Sequence, residues 1–207
     1  MANNNPAAPQ AVMHTAEAPP GIADPAPLGL AGFGLTTLML SFVNAGIIAG
    51  GAVVAVLPMA AAYGGVAQLL AGMWAFKRGN TFAATAFSSY GAFWLTYYLM
   101  IDVFAPKITP ASAVGPILGL YAISWAIFTG YMFIASLHGT RAVQSVFFLL
   151  TITYILLAGG FWNWFTDGTT LTTIGGYVGI ATAVAALYTS FADVLNATAR
   201  RVILPTN

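Results

Sequence analysis

Apolar residues fall into six long runs, at about 28–50, 54–76, 81–102, 113–136, 142–163 and 170–194. Each has roughly the 20 residues that a helix needs to cross a bilayer. Short polar or glycine-rich stretches divide them: Gly50-Gly51, Lys77-Arg78-Gly79-Asn80, Ala105-Pro106-Lys107, His138-Gly139-Thr140-Arg141 and Trp164-Phe165-Thr166-Asp167-Gly168. The pattern predicts an all-α integral membrane protein with six transmembrane helices. Residues 1–27 read as a disordered cytoplasmic N-terminal tail, 28–196 as one six-helix transmembrane domain and 197–207 as a short cytoplasmic C-terminal tail. No connection is long enough for an extramembrane domain.

The first helix has a distinctive start, Asp24-Pro25-Ala26-Pro27-Leu28-Gly29-Leu30-Ala31-Gly32-Phe33-Gly34. Asp24 suits free helix amides and the positive helix end, and proline is tolerated in a first turn. The small residues before Phe33 leave the helix bare, so that other backbone or a small solute can approach. Further small pairs recur at four-residue spacing, Gly46 with Gly50, Gly115 with Gly119 and Gly175 with Gly179, as in closely packed membrane helices. The first and second halves share a weak echo, APLGL against GPILGL, of the kind inverted repeats leave.

Composition narrows the classes. Charged residues make up 5% of the chain against 59% hydrophobic, and mean hydropathy is +0.83, far from soluble domains. A net charge of +1 implies no polyanion, so nucleic-acid binding is set aside. The absence of cysteine removes disulfides and thiolate metal sites. Counting spans, Lys77, Arg78, Arg141, Arg200 and Arg201 share a side with the N-terminus, whereas Lys107, Asp102 and Asp167 lie opposite. The positive-inside rule then puts both termini in the cytoplasm. Trp74, Trp162 and Trp164 stand near span ends, as interfacial aromatics do.

No ionisable side chain falls at the centre of a span, which argues against a retinal Schiff base, haem-ligating histidines, a carboxylate proton relay and any acid–base or nucleophilic catalyst. No enzyme, cofactor or metal site is expected. The interior polarity is neutral. Phe33, Thr37, Leu40 and Asn44 share one face of the first span. The second carries Tyr63 and Gln68 among glycines. The third has Thr81, Thr85, Ser88 and Ser89 on one face and Phe87, Tyr90 and Trp94 on another. The fifth offers Gln144, Phe148, Thr151 and Tyr154 around Leu150. Taken singly, these hydroxyls often bond their own helix, and the amides often pin neighbouring helices. Together they outline a narrow path of hydroxyls and amides interrupted by rings, suited to a small polar solute.

Asp24–Gly34 resembles the N-P-A-P-L-G-L-x-G-F-G signature of the acetate uptake transporter family, which includes bacterial acetate/succinate permeases and yeast acetate and ammonia-export proteins. The segments beginning Tyr63-Gly64-Gly65, Lys77-Arg78-Gly79-Asn80, Thr85-Ala86-Phe87-Ser88-Ser89-Tyr90, Val146-Phe147-Phe148 and Val194-Leu195-Asn196 also match in order and spacing. The resemblance implies a ring-shaped homo-hexamer in the cell membrane, each subunit passing acetate and related small carboxylates, succinate among them. It implies a constriction at Phe33, Tyr90 and Leu150. Thr37, Leu40, Asn44, Gln68, Thr85, Ser88, Ser89, Phe148 and Thr151 are then the expected substrate-binding residues, and Asp24, Pro25, Pro27 and Gly29 the entrance motif. One departure is plain: Asp24 stands where the signature has asparagine. Both channel-like and proton-coupled transport fit. The alternative is a urea, amide or ammonia channel of similar six-helix design.

Overall fold

The computed structural model of the chain describes residues 21–165 and 168–207, so His14, Glu17 and Asp167 lie outside the described residues. Six long helical segments follow in order: α1 Ala26–Asn44, α2 Gly50–Lys77, α3 Thr81–Leu99, α4 Ala111–Ser136, α5 Arg141–Phe161 and α6 Gly168–Ala199. Five of these are long and apolar enough to cross a membrane. The sixth, α3, spends its surface on hydroxyls and tyrosines (TFAATAFSSYGAFWLTYYL), which lowers its hydropathy without shortening it.

Several boundaries differ from the sequence expectation. α1 begins two residues earlier and ends at Asn44; the turn follows, with Gly46 at φ +72°. Gly50-Gly51 instead opens α2 as a short 3-10 turn. Nothing lies within 4 Å of a Cβ built on Gly46 or Gly50, so this pair does not pack helices together within the subunit. Gly119 and Gly179 do pack closely, against the Trp162 indole and Ser41. Pro58 sits inside α2 and is followed by a π-helical stretch, Ala60–Ala67. Proline cannot donate within the helix, and the π stretch after it is a second local departure from regular α-helix.

α1 is the central strut. It packs along α2 on one side and α6 on the other, and its signature glycines face three different helices. A Cβ on Gly29 would collide with the Phe87 ring of α3. One on Gly32 would stand 2.7 Å from the Tyr63 carbonyl oxygen of α2, and one on Gly34 2.9 Å from Leu187 of α6. The bare surface of α1 is therefore filled by protein rather than left for a solute. Ser190 Oγ donates to the Pro27 carbonyl (2.7 Å), fixing the antiparallel register of α1 and α6. Neighbouring contacts continue through α6–α5–α4 and α2–α3. α3 and α4 meet mostly through large rings, such as Phe93 on Tyr121 (5.5 Å) and on Trp125 (5.1 Å).

Arg78 lies beside the start of α1, donating to the Ile22 carbonyl, and the end of the chain folds back along α5 and α6. Ala142 N–H donates to the Thr206 carbonyl (2.9 Å), Tyr188 hydroxyl to the Pro205 carbonyl (2.6 Å) and Asn196 holds Ile203 and Leu204. Asp24, Arg78 and Arg141 lie together at one end of the bundle, its basic end.

Candidate functional site

A cavity of about 80 Å³ opens between α1, α3, α4 and α5, in the half of the bundle away from the basic end. One water needs roughly 10–15 Å³ by this measure, so a solute of a few heavy atoms fits. α1 contributes Thr37, Leu40, Ser41 and Asn44, the helix face expected from their spacing. α3 adds Phe93, Trp94 and Tyr97, α4 adds Tyr121, and α5 adds Leu150, Thr153 and Tyr154. None of the lining residues is charged.

Three buried side chains stand at the side of the cavity nearer the basic end. Phe33 lies one turn below Thr37, and Tyr90 one turn below Trp94; Leu150 forms part of the lining itself. Each is 3% exposed, and all three belong to one apolar cluster. The rings of Phe33 and Tyr90 stand 5.6 Å apart, centroid to centroid, at a tilt of 52°. Phe128 and Phe147 close on Tyr90 from other sides at 5.4 and 6.1 Å.

Two lining residues each also carry a polar atom, buried behind the wall, that has no partner. Thr37 Oγ1 and Trp94 Nε1 are buried and make no hydrogen bond, although an unpaired buried donor is costly. Two other hydroxyls of the lining are committed: Thr153 donates to the Leu149 carbonyl (2.9 Å) and Tyr121 to the Phe93 carbonyl (2.8 Å). The indole N–H can only donate, so it can pair only with an acceptor.

The remaining expected residues fall elsewhere. Gln68 is 1% exposed at the α1–α2 seam, where its Cβ lies beside Gly32 and its Oε1 has no partner. Ser88 lies against Gly72 at the α2–α3 seam, again with an unpartnered hydroxyl. Thr151 donates to the Phe147 carbonyl (2.7 Å). Thr85 and Ser89 are partly buried on α3 outside the cavity lining. Phe148 is 50% exposed and packs on Phe133 (5.5 Å), on the outer side of α5. Trp94, Ser41, Tyr97 and Tyr121 line the cavity without having been singled out as binding residues. The four-residue step from Tyr90 to Trp94 was the available signal for the first of them.

At the basic end, Asp24 Oδ1 accepts the Ala26 N–H (2.9 Å) from just before the first turn, and Oδ2 lies 3.7 Å from Arg78 Nη2. Pro25 and Gly29 are buried, and Pro27 receives Ser190. Asp24 thus supplies an ion pair where an asparagine would supply only the amide acceptor. The pair is largely solvated, with 56% of the Asp24 side chain exposed, so its contribution is roughly 0–1 kcal/mol. Asp24→Asn is expected to leave the melting temperature nearly unchanged, which a thermal melt in detergent checks.

Six helical segments, five of them long and apolar enough to span, define a multi-pass membrane protein, and it holds a small uncharged internal cavity. The chain belongs to the GPR1/FUN34/yaaH family, whose model matches residues 7–207. It is 41% identical over 185 residues to the succinate-acetate/proton symporter SatP of Escherichia coli K12, covering 89% of this chain and 95% of that protein. Acetate permease A of Emericella nidulans is 35% identical over 194 residues, covering 88% and 65%. Among solved structures, that of the bacterial acetate channel SatP aligns with a TM-score of 0.81 at 39% identity, covering 89% of this chain and 99% of that one.

Proposed function

We propose that the protein transports acetate and related small carboxylates, succinate among them, across the cell membrane, through the α1/α3/α4/α5 cavity and past Phe33, Tyr90 and Leu150. The observation that carries this reading is the small uncharged cavity itself, lined by Thr37, Ser41 and Asn44 among aromatic rings and lying one turn from Phe33 and Tyr90. A small carboxylic acid resembles the glutamate side chain, with a pKa near 4.3, so at neutral pH it is mostly an anion. A bare anion in hydrocarbon is expensive, and neutral donors replace its hydration without trapping it. Asn44 and Ser41 extend such polarity towards the far mouth.

Residues 28–196 form the transport domain, with residues 1–27 and 197–207 as cytoplasmic tails. Placement of the basic end in the cytoplasm follows from the positive-inside rule. Assembly as a ring-shaped hexamer rests on the family resemblance. Gln68, Thr85, Ser88, Ser89, Phe148 and Thr151 lie outside the cavity and enter the pathway only if the seams around α2, α3 and α5 open during transport.

Purified protein in liposomes should take up labelled acetate, with unlabelled propionate competing and urea not. Urea uptake with no acetate uptake would favour the urea or amide channel instead. A set pH gradient with a voltage-sensitive dye distinguishes proton coupling from channel-like flux.

A further inference from the structure

We infer that Thr129 on α4 is a positioning residue that fixes the Tyr90 ring and thereby sets the largest carboxylate the pathway passes; this rests on the transport reading above. Thr129 is 0% exposed and lines no part of the cavity, yet its Oγ1 lies 2.9 Å from the Tyr90 hydroxyl. Among the described threonines, Thr96 with Tyr121 and Thr153 with Thr182 also reach a side chain on another helix, but each of those threonine hydroxyls donates to its own helix as well. Thr36, Thr151, Thr153, Thr182 and Thr189 each donate to the carbonyl four residues back, the habit of threonine in membrane helices. Thr129 engages a side chain on another helix.

The surroundings explain why one hydroxyl bond matters. Tyr90 is packed by Phe33, Trp125, Phe128 and Phe147, with ring centroids 5.4–6.1 Å away. Such apolar contacts are non-directional, so a ring can slide or tilt among them at small cost. A hydrogen bond has a preferred direction and length and pins the ring's far end. The α3–α4 seam is otherwise made mostly of rings; its other hydrogen bonds, Tyr121 to Thr96 and to the Phe93 carbonyl, lie one to two turns further along α3. Without Thr129 Oγ1, the Tyr90 hydroxyl is left buried and unpaired, and the nearest polar space is the cavity one turn above. The ring then leaves its seat against α4, and the gap beside Phe33 ceases to be one fixed size.

The test uses the full chain in liposomes and reads the ratio of butyrate to acetate flux. Thr129→Val keeps the shape and removes the hydroxyl, and should raise the ratio at least threefold. Thr129→Ser keeps the hydroxyl and should hold the wild-type ratio, even with a lower melting temperature from the lost methyl. Tyr90→Phe removes the same pin and should raise the ratio in the same direction by a smaller factor, since no unpaired hydroxyl is left to draw the ring away, and the double variant should fall short of the product of the single effects. Wild-type ratios in both Thr129→Val and Tyr90→Phe, or a double variant equal to the product of the single effects, would overturn the inference. Should Thr129→Val fail to fold, Tyr90→Phe against Thr129→Ser still decides. Absence of acetate flux in the wild type would instead defeat the transport reading itself.

Discussion

Phe33→Ala is expected to raise butyrate flux relative to acetate by roughly tenfold, equivalent to about 1.4 kcal/mol off the barrier for the larger acid. The ring is 3% exposed and stands 5.6 Å from Tyr90, immediately below the cavity floor. Truncating it opens space beside Tyr90 just beneath the cavity and leaves Thr37 and Trp94 in place. Buried Phe→Ala changes cost about 3–5 kcal/mol in sealed cores, but here water from the cavity can fill part of the space, so a folded protein of lower melting temperature is expected. Leu150→Ala should act in the same direction with a smaller ratio, since it deletes a smaller group from the same closure. Unchanged flux and size selectivity in both variants, measured with labelled acids in liposomes, would remove these residues from the pathway.

The second large effect is structural. Gly91→Val should abolish recovery of folded protein. A Cβ at Gly91 would stand 2.8 Å from the Leu69 amide nitrogen and 2.9 Å from the Gly65 carbonyl oxygen. Both neighbours are backbone, in and just after the π stretch of α2, so neither can swing aside. Membrane helices gain their association from such close approach, and forcing them apart costs packing all along the seam. Gly50→Ala, with open space around its Cβ, is the control and should run as wild type in size-exclusion chromatography.

The helical layout was legible because run length and charge placement are strong signals. The α1 face of Thr37, Leu40 and Asn44 was legible because helical spacing fixes it, and all three line the cavity. Other features depend on geometry that spacing does not encode. Gly46 and Gly50 have the spacing of a packing pair, but the left-handed φ at Gly46 ends the helix between them. The signature glycines left room for either a solute or protein, and only the register with α2, α3 and α6 assigns them to Tyr63, Phe87 and Leu187. Phe148 shares polar neighbours in sequence, yet Leu150 and Phe147 take the inward side of α5. Thr129 gave no sign at all, because its partner lies 39 residues away on another helix. Asp24, which stood out as a departure from the family signature, finds its counterpart in Arg78.

The natural chain contains no cysteine, so a single introduced thiol reports on one position against no background. Leu40→Cys places that thiol in the cavity wall. Acetate flux should fall to the level of protein-free liposomes when a small methanethiosulfonate reagent modifies Cys-substituted protein, and added acetate should slow the modification. Complete modification with acetate flux intact would contradict a pathway through this cavity.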